Sequence, residues 1–208
     1  MATTIMNHAL IEHKLTIMRD KNTPSYLFKQ NLDDIAQLMV YEITRNLPLK
    51  DKPVDTPICA MTGKELAQDI VLVPILRAGV GLLEGFRHLL KDAKVGFLGM
   101  ARDEVTLIPH EYYAKLPKHL EDAIVMIIDP MLATGGSSID AIDNVKSKGA
   151  KNIILACLVG APEGLALVEK KHPDIDIYLA HLDDHLNEHG YIVPGLGDAG
   201  DRLFGTDE

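Results

Sequence analysis

The stretch Ile127-Ile128-Asp129-Pro130-Met131-Leu132-Ala133-Thr134-Gly135-Gly136-Ser137-Ser138 passes from an apolar run through one acid into a turn of small residues. Small side chains let the backbone approach an anion closely. Successive N–H groups then point at it, and a helix starting there adds about half a positive charge. Such a turn cradles phosphate. Asp129, at the end of the apolar run, is placed to accept hydrogen bonds from sugar hydroxyls beside that phosphate. The stretch has neither the Gly-Lys-Ser/Thr of a P-loop nor the G-x-G-x-x-G of a dinucleotide site. The same residues also suit an ordinary strand-to-helix turn with Ser/Thr capping and a solvated aspartate.

Two arginines add weight to the phosphate reading. In Val73-Pro74-Ile75-Leu76-Arg77-Ala78-Gly79-Val80-Gly81, Arg77 follows an apolar run and precedes two glycines, and Arg102 stands in the equivalent place after Val95 to Met100. A guanidinium at a strand end grips phosphate oxygens in a fork. Singly, each arginine suits a surface ion pair; as a pair beside a cradle they favour a polyphosphate.

The tail from Asn187 to Thr206 carries Gly190, Gly195, Gly197, Gly200 and Gly205, five of the 16 glycines of the chain. Ordering so many glycines costs entropy, so an ordered loop here should bring backbone close to a ligand, whose flat base edge N–H and C=O groups can read. Tyr191, Ile192, Val193 and Phe204 give the tail apolar anchors. His189 beside Glu188 has acid/base types, but adjacent side chains seldom face each other. His181, Asp183, Asp184, His185 and His189 are metal-ligand types without an H-x-x-x-H spacing, and they read as a polar loop.

The elements that must position these groups follow from hydrophobic patterning. The first 50 residues read as helical, with Thr23 as N-cap, Pro24 at the first helical position, and Leu27, Leu32, Ile35, Leu38, Met39 and Ile43 on one face up to Pro48. Short continuous apolar runs follow at Ile70 to Leu76, Val95 to Met100, Ala123 to Ile128, Asn152 to Val159 and Ile175 to Leu179, as expected of strands buried on both faces. Helical stretches at Val80 to Leu90, Ser137 to Lys148 and Pro162 to Lys171 alternate with them. The alternation predicts an α/β fold, a parallel sheet with helices on both faces, in one domain over residues 1–208. Residues 102 to 121, charged and holding Tyr112-Tyr113, interrupt the pattern as a flap, hairpin or active-site arm. Ligands of such a sheet bind beyond the carboxyl ends of its strands, where the stretches above lie.

Composition bounds the partner. The 208 residues carry 21 Lys+Arg against 30 Asp+Glu, a formal net charge of −9, which disfavours a nucleic-acid surface because that affinity comes from clustered cations. No apolar stretch approaches the ~20 residues of a membrane span, and no basic-then-apolar leader opens the chain; a cytoplasmic protein is the expectation. The two cysteines, Cys59 and Cys157, suggest neither a disulfide framework nor a zinc site.

On these residues the chain resembles the uracil phosphoribosyltransferase family. The resemblance runs from His13-Lys14-Leu15-Thr16-Ile17-Met18-Arg19 to the end and is carried by Val73 to Gly79, Asp129 to Ser137 and Gly190 to Arg202. It implies a phosphoribosyltransferase fold with N-terminal helices (1–50), a hairpin arm (102–121) and a C-terminal base-binding hood (186–208). The implied reaction joins uracil to 5-phosphoribosyl 1-diphosphate (PRPP), giving UMP and diphosphate in pyrimidine salvage, with Mg2+ carried by PRPP. By the same resemblance Arg77 and Arg102 hold the diphosphate, and Asp129, Pro130, Met131, Leu132, Ala133, Thr134, Gly135, Gly136 and Ser137 bind the phosphoribosyl group. Ile192, Gly197, Asp198 and Ala199 bind uracil, and Asp198 also faces the donor. Arg77 and Asp198 are the catalytic candidates, the latter by orienting the base or taking its N1 proton. A homodimer or higher homo-oligomer and a GTP effector complete the expectation. Ala101, Ile108-Pro109-His110 and Asp183-Asp184-His185 depart from the usual residues of the family. Two other readings compete, a non-catalytic nucleotide sensor or RNA binder and a phosphoribosyltransferase for another base; the acidic balance opposes the first and the tail the second.

Overall fold

The computed structural model of the protein describes residues 2–102 and 109–206. In chain order the elements are β1 (Thr3–Ile5), α1 (Ala9–Arg19), α2 (Ser25–Ile43), β2 (Leu49–Asp55), β3 (Ala60–Leu66), β4 (Ile70–Leu76), α3 (Val80–Leu89), β5 (Lys94–Val95), β6 (Phe97–Arg102), β7 (Pro109–Lys115), β8 (Ile124–Leu132), α4 (Gly136–Ser147), β9 (Asn152–Gly160), α5 (Pro162–Lys171), β10 (Asp176–Leu182), β11 (His185–Leu186), β12 (Ile192–Val193) and α6 (Ala199–Phe204).

The expected parallel α/β sheet is present. Its order is β1-β10-β9-β8-β4-β6-β7, with β5 also paired to β4, and every pairing is parallel except β6 with β7. The twofold period of a strand divides each apolar run between two cores. Ile70, Leu72, Ile124, Met126, Ile128, Ile154 and Ala156 pack with α1, α2 and α3, whereas Val71, Val73, Val125, Ile127, Leu155 and Cys157 pack with α4 and α5. Full burial of a large side chain such as Phe28, Leu72 or Phe86 contributes roughly 1.5–3 kcal/mol. Helices α2 and α3 touch at Gly85, where a Cβ would lie 2.5 Å from that of Ala36. No helix among the described residues is long and apolar enough to cross a membrane.

The N-terminal segment is helical as expected but holds more than the helix after Pro24. It contains a short parallel edge strand, β1, and two helices that meet at a turn. Pro24, extended at φ −69 and ψ 154, is the N-cap of α2 and offers no side-chain cap. Thr23 donates its hydroxyl instead to the Ile17 carbonyl at 2.6 Å, fastening α1 to α2.

A further hairpin, not expected from the sequence, lies at residues 49–66. Strands β2 and β3 pair antiparallel, apart from the main sheet, and run mostly exposed to a tip around Ile58. The apolar alternation that marks a half-buried strand is absent here because neither face packs on the chain's own core. Ion pairs across the strands, Lys52 with Glu65 at 2.5 Å and Lys64 with Asp51, take its place. Where the arm at 102–121 was expected, Arg102 at the end of β6 and residues 109–115 of β7 belong to an antiparallel pair at the sheet edge, bulged between Gly99 and Met100; residues 103–108 lie outside the described residues.

Candidate functional site

Strands β4 and β8 are neighbours, and the loop leaving the carboxyl end of β4 packs against β8. Gly79 makes this possible: a Cβ there would lie 2.5 Å from the Ile128 carbonyl oxygen and 2.6 Å from the Ile75 nitrogen. Beyond β8 the chain turns through Ala133, Thr134 and Gly135 into α4. Gly135 is the N-cap at φ +85, a left-handed conformation that costs a Cβ-bearing residue about 1 kcal/mol or more. The turn is backed from α5, where a Cβ on Gly164 would lie 2.0 Å from the Ala133 carbonyl oxygen.

Over these loops folds the tail, ordered into β11, β12 and the short helix α6. The Asn187 carboxamide oxygen accepts the His189 and Tyr191 N–H groups at 3.0 and 2.9 Å, shaping the turn between the two strands. Leu186 donates its N–H to Glu163 on α5 at 3.0 Å. Farther on, Arg202 lies over the Phe28 ring at 4.6 Å and donates to the Leu196 carbonyl at 2.9 Å.

Between loops and tail lies a cavity of about 480 Å³. Of the residues singled out in the sequence, Asp129, Met131, Ala133, Thr134, Gly135, Gly136, Ser137, Ile192, Gly197, Asp198 and Ala199 line it. The Ala133–Ser137 turn and the glycine-rich tail therefore face each other across the cavity, which Asp129 also lines. Pro130 and Leu132 do not line it; strand alternation buries both on the opposite side of β8. Arg77 stands at the rim, its guanidinium 3.1 Å from the Asp201 carboxylate of α6. Arg102 ends β6, opposite Pro109 of β7.

Ala78, Ser138, His189, Gly190, Tyr191 and Gly200 complete the lining and were not singled out for it. Spacing offered little signal for them, since each enters through a neighbour's fold. His189 and Glu188, whose side chains were not expected to meet, lie 3.4 Å apart on the exposed rim.

Electrostatically the cavity floor is anionic. Burial pushes the Asp129 carboxyl up to about 7; the Met131 N–H opposes this, and the charge of Asp198 adds to it. Asp198 caps α6 by accepting the Asp201 N–H at 3.0 Å. Opposite Asp129 on β9 is Cys157, fully buried, its thiol pushed up by desolvation and by the charge of Asp129. Among the described residues no group of three or more His, Cys, Asp or Glu side chains could hold a metal ion.

Comparison with known proteins gives one answer. A family model described as uracil phosphoribosyltransferase matches residues 5–206. Curated relatives of that name include those of Levilactobacillus brevis, 57% identical over 97% of both chains, and of Clostridioides difficile, 58% identical over 96% of both. A solved Aquifex aeolicus protein superposes with a TM-score of 0.93 at 40% identity, covering 97% of both chains. A Staphylococcus aureus hypoxanthine phosphoribosyltransferase, at TM-score 0.52 and 13% identity over 76% of both chains, shares the fold alone. Matched along nearly its whole length by that family model and by relatives above half identity, the chain belongs to the uracil phosphoribosyltransferase family.

Proposed function

We propose that the protein transfers the 5-phosphoribosyl group of PRPP to N1 of uracil, releasing diphosphate and forming UMP for pyrimidine salvage. The observation that carries this reading is the single cavity walled on one side by the turn Ala133–Ser137 and on the other by Ile192 and Gly197–Ala199. One wall suits a phosphate and the other a flat base.

In this reading the N–H groups of the Ala133–Ser137 turn and the amino end of α4 hold the 5-phosphate. Asp129, ionised, accepts the ribose hydroxyls. Arg77 and Arg102 neutralise the diphosphate, and their attraction grows as the leaving group gathers charge. Backbone groups of Gly197–Ala199 read the uracil edge, and Asp198, held rigid as a helix cap, orients the base through its N1 proton. The expected displacement inverts the anomeric carbon through an oxocarbenium-like state, with no enzyme nucleophile. A backbone N–H aimed at O4 of uracil opposes the amino group of cytosine, and selection of that kind reaches ~10⁴.

Magnesium fits this site as a donor-bound ion: Asp129 and Asp198 are only two carboxylates, and Mg2+ commonly takes one or two together with substrate phosphates and water. When bound it supplies charge neutralisation to the diphosphate. Family membership also supports a cytoplasmic homo-oligomer and a GTP effector; turnover with and without added GTP tests the latter. The reaction is tested by incubating pure protein with PRPP, Mg2+ and each of uracil, cytosine, orotate and hypoxanthine. UMP from uracil alone is expected; no UMP, or comparable product from another base, overturns the assignment.

A further inference from the structure

Asp183, which the sequence presented as one of several polar loop residues, is buried, its side chain 1% exposed. Arg19, the last residue of α1, grips it with two bonds, Nη2 to Oδ1 at 2.6 Å and Nη1 to Oδ2 at 2.9 Å. Gly195 lies between them in the same network. Its N–H donates to Asp183 Oδ2 at 2.9 Å and its carbonyl accepts from Arg19 Nη1 at 2.7 Å. His181 Nε2, 3.3 Å from Asp183 Oδ1, and Glu12, 2.8 Å from His181 Nδ1, close the ring. Gly195 has φ +60, and a Cβ there would meet the Ile192 carbonyl oxygen at 2.2 Å, so only glycine fits at this point of the clasp.

A buried ion pair is a poor stabiliser compared with apolar packing, because desolvation offsets its attraction. What a carboxylate–guanidinium fork supplies is direction. Here it fixes both backbone polar groups of Gly195, two residues before the Gly197–Ala199 turn that enters the cavity. We propose that Arg19 and Asp183 are positioning residues for the base: the ion pair sets the Gly195 backbone and through it the base-reading turn, making α1 part of the base subsite. Among the described residues the network joins Arg19, Asp183, His181, Glu12 and Gly195, none of them in the Ala133–Ser137 turn, so base and donor recognition are expected to separate. This inference rests on the uracil reading of the cavity.

The test uses full-length Asp183→Asn and Arg19→Lys. Asparagine keeps the shape but leaves Arg19 uncompensated, and lysine keeps the charge without the fork. The expected result is a KM for uracil raised at least ~10-fold in Asp183→Asn and ~3–10-fold in Arg19→Lys, with the PRPP Kd, titrated without base, within about twofold of the parent. A uracil KM within about twofold in both variants, or base and donor constants rising by the same factor, overturns the inference. If Asp183→Asn does not fold, Arg19→Lys alone decides on the same criteria. Hydrogen exchange at 195–199 reads the clasp independently of turnover: faster exchange there in Arg19→Lys, with 133–137 unchanged, is expected, and equal exchange overturns it. A parent protein that makes no UMP strikes the uracil reading and leaves the exchange result to judge the clasp.

Discussion

The Arg77 guanidinium lies 3.1 Å from the Asp201 carboxylate, so the cation at the end of β4 is held by the first turn of α6 at the cavity rim. The Thr206 hydroxyl and then Arg77 hold the Asp201 carboxyl below its ordinary range, and it is ionised at neutral pH. An incoming diphosphate therefore competes with Asp201 for Arg77. Arg77→Ala is expected to lower kcat/KM for PRPP by about 10²–10³, the loss of a charge-assisted contact to a developing anion. Asp201→Ala removes the competitor and should lower the PRPP KM about twofold to fivefold. Steady-state kinetics on both variants decide this, and parent-like turnover in Arg77→Ala refutes the donor assignment.

The raised Asp129 carboxyl makes the proposed donor binding dependent on pH. Its folded carboxyl titrates at about 7, above its ordinary value of 3.8. Between those values the folded chain holds a proton that the unfolded chain has lost. Stability from this group is therefore fully present below about 4 and falls as pH rises through 7. Binding of ribose hydroxyls calls for the ionised form, so PRPP affinity should weaken about tenfold per pH unit below 7 and level off above it. Asp129→Asn should flatten that slope relative to the parent, bind PRPP more weakly at pH 8, and raise Tm there by on the order of 5 °C. Calorimetric titration at pH 6, 7 and 8 and a thermal melt check both halves. A slope as steep in Asp129→Asn as in the parent places the titrating group elsewhere.

The parts of this molecule that were legible in its sequence are those whose signal is local. The buried strands announced themselves as continuous apolar runs, and the phosphate-type turn as small residues between a strand and a helix. The hood was visible through its glycines. Residues 49–66 carried no such mark: a hairpin that buries neither face on its own chain needs no alternating pattern. Pro130 and Leu132 were placed with Asp129 because a motif is contiguous, whereas the pleat sends alternate residues to opposite faces. The Arg19–Asp183 clasp joins groups 164 positions apart, and only the fold brings them together.

The hairpin's exposure yields a prediction about assembly. Ile58 is 94% exposed at its tip, and Leu49 and Met61 are more than half or about half exposed along it. Apolar surface of this kind on a projecting element marks an interaction site, and the expected homo-oligomer supplies a partner. Ile58→Glu combined with Met61→Glu should shift sedimentation toward a smaller species while far-UV circular dichroism per chain stays unchanged. An unaltered sedimentation coefficient would assign self-association to another face.

Gly164 backs the Ala133–Gly135 turn that forms the proposed phosphate wall. It lies in the first turn of α5, and the Ala133 carbonyl approaches so closely that a Cβ would stand 2.0 Å from its oxygen and 2.9 Å from its carbon. Backbone cannot yield as a flexible side chain does, so Gly164→Ala must push the Ala133–Gly135 turn toward the cavity or lift α5 from the sheet. Overpacking of this sort costs about 1–3 kcal/mol. Displacing N–H groups that hold a phosphate should raise the PRPP KM roughly 10-fold or more. The uracil KM should stay within about twofold, since Ile192 and Gly197–Ala199 hang from the hood and not from this turn. Measuring both constants with Tm separates a displaced turn from a general loss of stability. Equal rises in the two KM values would mean that α5, rather than the turn, has given way.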